Sequence, residues 1–433
     1  MITTAIIAIS TCILLVLSVI LFPKVKILGK AVSTFWPVCL LGAIAMTAFG
    51  CVSPKEILDG LTADGAINPL KILVLFLSMT FLSVYLDEMG FFRYVAVLGA
   101  QRAKGSQLTL FLILYAIVSV LTVFTSNDVV ILTFTPFICY FAKQAKVNPL
   151  PYLVTEFCAS NTWSMMLIIG NPTNVYLATG AGIDFMSYLS TMAIPTILGG
   201  AVQLGVLLML FRKRLAAPLC VQPFESELRD KVGVALGLVH LGVCLVLLVL
   251  SSYVALEMWT VCLACAVSLI LCVVAVAIKR GQKPDALLRT AARLPWSLVP
   301  FVLSMFVVVL ALKSQGITTI LANLLSGADP VISYGLSSFV ACNLMNNIPM
   351  SVLFASVPQF AESVLMAKAI FATIVGSNLG AFLTPIGALA GIMFTDLVSM
   401  RKVKFGFLDF IRYGSVVAVP TLIATLLGLA IVL

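Results

Sequence analysis

From Ile2 to Phe22, Ala31 to Cys51, Ile72 to Leu86 and Val232 to Val254 the chain is almost unbroken apolar residue. Stretches of about 17 to 25 such residues are what a helix needs to cross a bilayer, and they recur from one end of the 433 residues to the other. The hydrocarbon core offers no water to backbone amides, so each crossing must satisfy its own hydrogen bonds as a helix. With 61% hydrophobic and 10% charged residues, no sizeable soluble domain fits. The expected fold is an all-α polytopic bundle of about ten full spans. The first stretch has neither a basic leader nor a small-residue cleavage site, and reads as a retained span.

The placement of Lys and Arg orients such a bundle better than the net charge of +9 does. Lys24, Lys26 and Lys30, then Arg93, Arg102 and Lys104, then Lys143 and Lys146, the run Arg212, Lys213, Arg214 to Lys231, and Lys279 to Arg293 fall on one side. Arg401, Lys402 and Lys404 join them if the spans alternate. The opposite connections carry Glu56, Asp59, Asp64, Asp184, Glu257, Asp329 and Glu362. The basic side is expected to be cytoplasmic and both termini extracytoplasmic. Bases spread over short loops are a topology signal and not a nucleic-acid surface. The eleven cysteines show no metal-finger spacing; Cys262 and Cys265, inside an apolar helix, read as packing, and so does His240.

Internal repeats set the architecture. LSMTFLSVYLDEMG from Leu77 returns as LSMFVVVLALKSQG from Leu303, and TSNDVV from Thr125 as LMNNIP from Leu344. SNTWSMMLIIGNPTN from Ser160 returns as SNLGAFLTPIGALAG from Ser377, with Ser-Asn and the following Gly at the same spacing. Parity makes the two copies inverted: an N-terminal span and loop (1–30), repeat one (31–211), a cytoplasmic linker and connecting span (212–256), and repeat two (257–433).

The run from Gln107 to Tyr140 is too long for one span at 1.5 Å per residue, and Ser126, Asn127 and Asp128 interrupt it. A re-entrant helical hairpin over about 107–142 is expected, with two full spans joined by a tight external turn as the alternative, and a partner over about 331–357 turning at Asn346 and Asn347. Pro349 suits the first turn of the returning arm. Gly and Pro also break the spans at about 152–180, in GNPTN, and at about 364–398, in TPIG. Broken helices free carbonyls at one end and amide donors at the other, the former suited to Na+, the latter to an oxyanion. One half-site per repeat follows: Ser126, Asn127, Asp128, Asn161, Gly170, Asn171, Thr173 and Asn174; then Asn346, Asn347, Asn378, Thr384 and Gly387. Na+ is placed at Ser126, Asn127, Asn346 and Asn347. Asp128 and Glu156 are the membrane-depth acids and so the candidates for a coupling proton.

LDEMGFF, SNDVV, MNNIP, the Pro295-Trp296 pair and GSNLGAFLTPIGALA together resemble the arsenite-permease (ArsB) branch of the ion-transporter superfamily that also holds NhaD-type antiporters, citrate transporters and sodium-coupled dicarboxylate carriers. The resemblance runs through nearly the whole chain. It implies paired Asn-tipped hairpins moving against a scaffold, and leaves room for a homodimer and an external ATPase partner. The arsenite-permease pattern has acids where this chain has Asn161 and Asn378, and GNPTN is closer to the carboxylate branches. Any proton then falls to Asp128 and Glu156.

The expectation is a secondary active transporter of a small anion or arsenite-type oxyacid, in the cytoplasmic membrane, coupled to Na+ or H+ without another cofactor. A cation/proton antiporter is the alternative. A passive channel fits inverted halves poorly. An intramembrane enzyme lacks a nucleophile–base pair, and nucleotide-driven pumping lacks a Walker-type lysine loop.

Overall fold

A computed structural model describes the chain except for residues 23, 28–29, 63–67, 219–227, 229, 255, 359 and 361. Asp64 and part of the 212–256 linker lie outside the described residues. The first half contains α1 (Ile2–Leu21), β1 (Lys24–Ile27), β2 (Lys30–Ser33), α2 (Phe35–Ala48), α3 (Pro54–Thr62), α4 (Pro69–Glu88), α5 (Phe91–Arg102), α6 (Gln107–Phe124), α7 (Asn127–Gln144), α8 (Leu150–Trp163), α9 (Pro172–Gly180) and α10 (Phe185–Leu215). The second contains α11 (Lys231–Val254), α12 (Met258–Lys279), α13 (Asp285–Arg293), α14 (Leu298–Ser314), α15 (Ile317–Leu325), α16 (Pro330–Met345), α17 (Asn347–Phe354), α18 (Ser363–Gly380), α19 (Leu389–Met400) and α20 (Phe407–Val432).

Strands aside, the second half repeats the first helix for helix. Short 3-10 turns, Ile168–Gly170 and Pro385–Gly387, interrupt α8–α9 and α18–α19 at equivalent places. Gly90 and Gly316 precede α5 and α15 at φ of +79° and +74°, backbone that glycine adopts without strain. The packing repeats as well: α1 lies on α2 and α14, and α11 lies on α12 and α4. Side chains set the helix starts, with Asn68, Ser106, Asp184 and Asp329 capping α4, α6, α10 and α16.

Among the described residues, nine helices are long and apolar enough to cross a membrane. One of them, α6, is a hairpin arm, whereas α2, with 14 residues, and the broken pair α8–α9 cross without meeting that length, giving ten crossings. The hairpins return to the side they left, so each half crosses an odd number of times and the halves are inverted. Both hairpin tips are enclosed by protein: Ser126 and Asn127 are 3% and 2% exposed, Asn346 and Asn347 3% each. A turn between two full spans would lie open to water.

The span expected over Ala31–Cys51 begins late. Lys24–Ile27 pairs antiparallel with Lys30–Ser33, and the helix starts at Phe35. The sequence KVKI alternates charged and β-branched residues with the period of a strand. Aromatic packing ties the second half's broken helix to the first: Phe157 on α8 lies 5.0 Å, ring centre to ring centre, from both Phe394 on α19 and Phe410 on α20.

Candidate functional site

The first hairpin turns where Ser126 adopts extended backbone and α7 begins at Asn127. Asn127 Nδ2 donates to Asn161 Oδ1 of α8 at 3.1 Å, and its Oδ1 accepts from the Asp128 N–H at 2.9 Å. Asn161 Nδ2 in turn donates to the Phe157 carbonyl at 2.9 Å. Asp128 occupies the first turn of α7, where the positive end of the helix favours a carboxylate.

The adjacent break is built by GNPTN. Asn171 caps α9, its Oδ1 accepting from Thr173 N and Thr173 Oγ1 at 3.1 Å each, and Pro172 takes the first helical position, where its missing N–H costs nothing. Asn174 Nδ2 donates at 2.8 Å to the Ser164 carbonyl, which α8 leaves without a helical partner. A side chain on Gly170 would put Cβ 2.3 Å from that same carbonyl oxygen, so the fold requires glycine there.

Asn378 of α18 belongs to this first break and not to a second-repeat half-site, which corrects the grouping expected from sequence. Its Oδ1 accepts from Ser164 Oγ at 3.0 Å and Asn171 Nδ2 at 2.9 Å; its Nδ2 donates to Asn174 Oδ1 at 2.7 Å and to the Ile374 carbonyl at 2.8 Å. All four hydrogen-bonding capacities of the amide are used. The reciprocal contact does not exist, because the residues equivalent to Ser164, Asn171 and Asn174 are Ala381, Ala388 and Gly391.

In the second half, Asn346 sits at φ 74°, sparsely populated backbone for any residue but glycine, and caps α17 through Ile348 N at 3.3 Å. Its Nδ2 donates to the Ile386 carbonyl at 2.8 Å, tying the tip to the second break. Thr384 Oγ1 donates at 2.7 Å to Asn343 Oδ1, and Asn343 Nδ2 reaches the Gly380 carbonyl at 2.9 Å. A Cβ on Gly387 would lie 2.8 Å from Asn343 Oδ1. Asn343 was absent from the sequence expectation. Its signal is a further amide only three residues before the Asn346 tip, in the last turn of an otherwise apolar arm.

Among the described residues nine buried side-chain polar atoms have no hydrogen-bond partner, and three of them lie at the tips and breaks. Ser126 Oγ, Asn347 Oδ1 and Ser377 Oγ are buried with no hydrogen-bond partner, a condition rare in folded proteins and costing about 1–3 kcal/mol per group. Four half-helices begin at the tips and breaks, namely α7, α9, α17 and α19, with α7 packed on α19 and α9 on α17. Their N–H ends favour negative charge or oxygen acceptors. Glu156, 1% exposed, accepts from Thr135 Oγ1 of α7 at 3.0 and 2.9 Å.

A cavity of about 910 Å³ opens beside α7, lined among others by Phe137, Tyr140, Arg93, Arg280 and Arg401, so three of the basic clusters share one face. A smaller pocket of about 250 Å³ carries Asp184, Lys71 and Glu257, the last two ion-paired at 2.9 Å. Partial burial pushes the Asp184 carboxyl up, but hydrogen bonds from Ser187, Ser252 and the Met186 N–H outweigh it and hold the group below the ordinary aspartate range. His240 bridges α11 and α12, Nδ1 at 2.8 Å from the Leu236 carbonyl and Nε2 at 3.2 Å from Ser268 Oγ.

Inverted halves, enclosed hairpin tips and paired helix breaks define a multi-pass membrane transporter. The chain belongs to the citrate transporter family, whose model matches residues 27–370. It is 28% identical over 377 residues to the arsenical pump membrane protein of Escherichia coli K12, covering 82% of this chain and 85% of that one. It is 26% identical over 366 residues to a 46 kDa membrane protein of Mycobacterium leprae, covering 81% and 83%. The solved YdaH transporter of Alcanivorax borkumensis, described as having an unusual topology, shares the fold, with TM-score 0.58 and 15% identity over 99% of this chain and 98% of that one.

Proposed function

We propose that the protein is a secondary active transporter of a small inorganic or organic anion, or an arsenite-type oxyacid, driven by Na+ or H+ through alternating access. The reading is carried by four half-helix N-termini beginning at tips and breaks where Ser126 Oγ, Asn347 Oδ1 and Ser377 Oγ are buried and unpaired. Such ends suit an anion or a hydroxylated solute without any arginine, and the names of the family and of the arsenical pump relatives agree with both classes. Hydroxyl and amide oxygens at Ser126 and Asn347 also suit a hard cation such as Na+. Asn127 and Asn346 bond other protein groups and would orient these oxygens. Gly170, Asn171, Thr173, Asn174, Asn378, Thr384 and Gly387 hold the breaks open.

A cation/proton antiporter is the second reading, favoured by the buried Glu156 beside the hairpin arm and by Asp128 at its tip. In either case the protein resides in the cytoplasmic membrane with the basic cavity inside and both termini outside.

A thermal-shift screen of purified protein against arsenite, antimonite, citrate, succinate, phosphate and sulfate, with and without Na+ and at two pH values, tests the reading. Stabilisation by a carboxylate only with Na+ selects sodium-coupled carboxylate transport; stabilisation by arsenite or antimonite without Na+ selects the oxyacid. Stabilisation by Na+ and pH alone, with no anion effective, favours the antiporter and overturns the anion reading.

A further inference from the structure

Asp87, at the end of α4, divides its carboxylate between two elements. Oδ1 accepts from Thr133 Oγ1 of α7 at 2.6 Å, and Oδ2 accepts from Arg293 Nη2 of α13 at 2.5 Å. Arg293 Nη1 also donates to Glu88 Oε1 at 2.6 Å, and Arg289 Nε to Glu88 Oε2 at 3.0 Å. Three charged contacts therefore staple α13 to α4, whereas the hairpin arm α7 joins the staple through one hydroxyl. Asp87, Glu88, Thr133 and Arg289 all line the 910 Å³ cavity, so the Thr133 bond lies where the hairpin meets α4 at the cavity wall.

Among the described residues the inverted half has no equivalent of the Asp87–Thr133 bond, although Ser314 Oγ, in the place of Glu88, donates to Glu56 of α3 at 3.5 Å. By the aligned repeats, Lys313 stands for Asp87 and Ser314 for Glu88; with α17 set on α7 from their first residues, Asn347 and Asn127, Leu353 stands for Thr133. The contact exists on one face only, and so favours one of two pseudo-symmetric arrangements.

We propose that the Asp87–Thr133 hydrogen bond is a latch holding the first hairpin in the arrangement seen here, with Asp87 a positioning residue for transport. The proposal rests on the alternating-access reading above. The latch can open without stranding either group. When Thr133 leaves, Asp87 keeps Arg293, and the Thr133 hydroxyl keeps the Val129 carbonyl, already 3.0 Å away. What is lost is one hydrogen bond to a charged group, which biases a two-state ratio by about ten- to a hundredfold, enough to set a resting state and small enough for a ligand to reverse. Breaking the Arg293 contacts instead would leave charge unpaired, so α4 and α13 move together.

The test is a distance distribution between spin labels carried on ketone-bearing residues at positions 137, on α7, and 276, on α12, which leaves the native thiols in place. Thr133→Val is nearly isosteric, and Thr133→Ala serves if it fails to fold. The expected result is two populations in the unsubstituted protein, with the one matching this structure reduced about tenfold or more relative to the other in Thr133→Val and restored in Thr133→Ser. Two populations in unchanged ratio overturn the latch alone. A single population in every protein, with or without ligand, overturns the alternating access on which it rests.

Discussion

Asn378 Nδ2 donates to Asn174 Oδ1 at 2.7 Å, joining residues that lie in opposite halves of the chain. Around that bond Ser164, Asn171 and Asn174 take up the amide so fully that Asn378 has no capacity left for a ligand. It works as a rivet between the second unbroken half-helix, α18, and the first break.

Removing the rivet should therefore be felt in stability before function. Asn378→Ala would leave Asn171 Nδ2 and Asn174 Oδ1 buried without a partner, while Ser164 Oγ keeps the Asn161 carbonyl at 2.8 Å, and a loss on the order of 3 kcal/mol is expected. Asn161→Ala, which strands only Asn127 Nδ2, should cost clearly less. Thermal midpoints of the two variants in one detergent check the order; equal midpoints would count against the rivet.

Asn347 presents the opposite case. Its Oδ1 and Ser126 Oγ bond nothing in the protein, so Asn347→Ala and Ser126→Ala should leave the midpoint within about 1 kcal/mol of unchanged while weakening the ligand's stabilising effect at least about tenfold in affinity. Ligand titrations followed by thermal shift separate the two quantities.

Glu156 and Asp128 can be told apart by charge-neutral variants. If Glu156 carries the coupling proton, Glu156→Gln should abolish uptake driven by a pH gradient while sparing substrate exchange at equal pH. Asp128→Asn should do the same if the proton is carried there. Uptake and exchange assays in parallel identify the carrier, and a variant that loses both assays equally is a binding defect.

Acid stability should depend on Asp184. Its folded carboxyl lies below the ordinary range, so its contribution is complete above the unfolded value of about 3.9 and is lost as pH falls through the lower folded value. Asp184→Asn retains a capping side chain for α10 and should flatten this part of the acid limb; Asp184→Ala should cost about 1 kcal/mol at neutral pH. Midpoints from pH 3 to 7 measure both.

Much of the fold was legible because glycine, proline and asparagine punctuate otherwise uniform apolar sequence. Gly90 and Gly316, the two Ser-Asn pairs and the Asn-bearing tips mark the repeats at matching positions. The hairpin of β1 and β2 escapes a reading that gives Lys24 to Lys30 to the loop after the first span and Ala31 to Ser33 to the start of the next. Asn378 was assigned to its own repeat because spacing along the chain reports neighbours on one helix; its partner Ser164 lies 214 residues away. Nor could the sequence say which polar atoms would be left over. Ser377 Oγ is unpaired while the equivalent Ser160 Oγ donates to the Phe157 carbonyl at 3.0 Å.

The central claim is ion-coupled transport through alternating access, and accumulation in sealed proteoliposomes measures it directly. With purified protein and a substrate identified by stabilisation, an imposed Na+ or pH gradient should drive the substrate above its equilibrium concentration, and dissipating the gradient should release it. Flux that only equilibrates the two compartments, whatever gradient is imposed, would contradict the account and leave a passive pore.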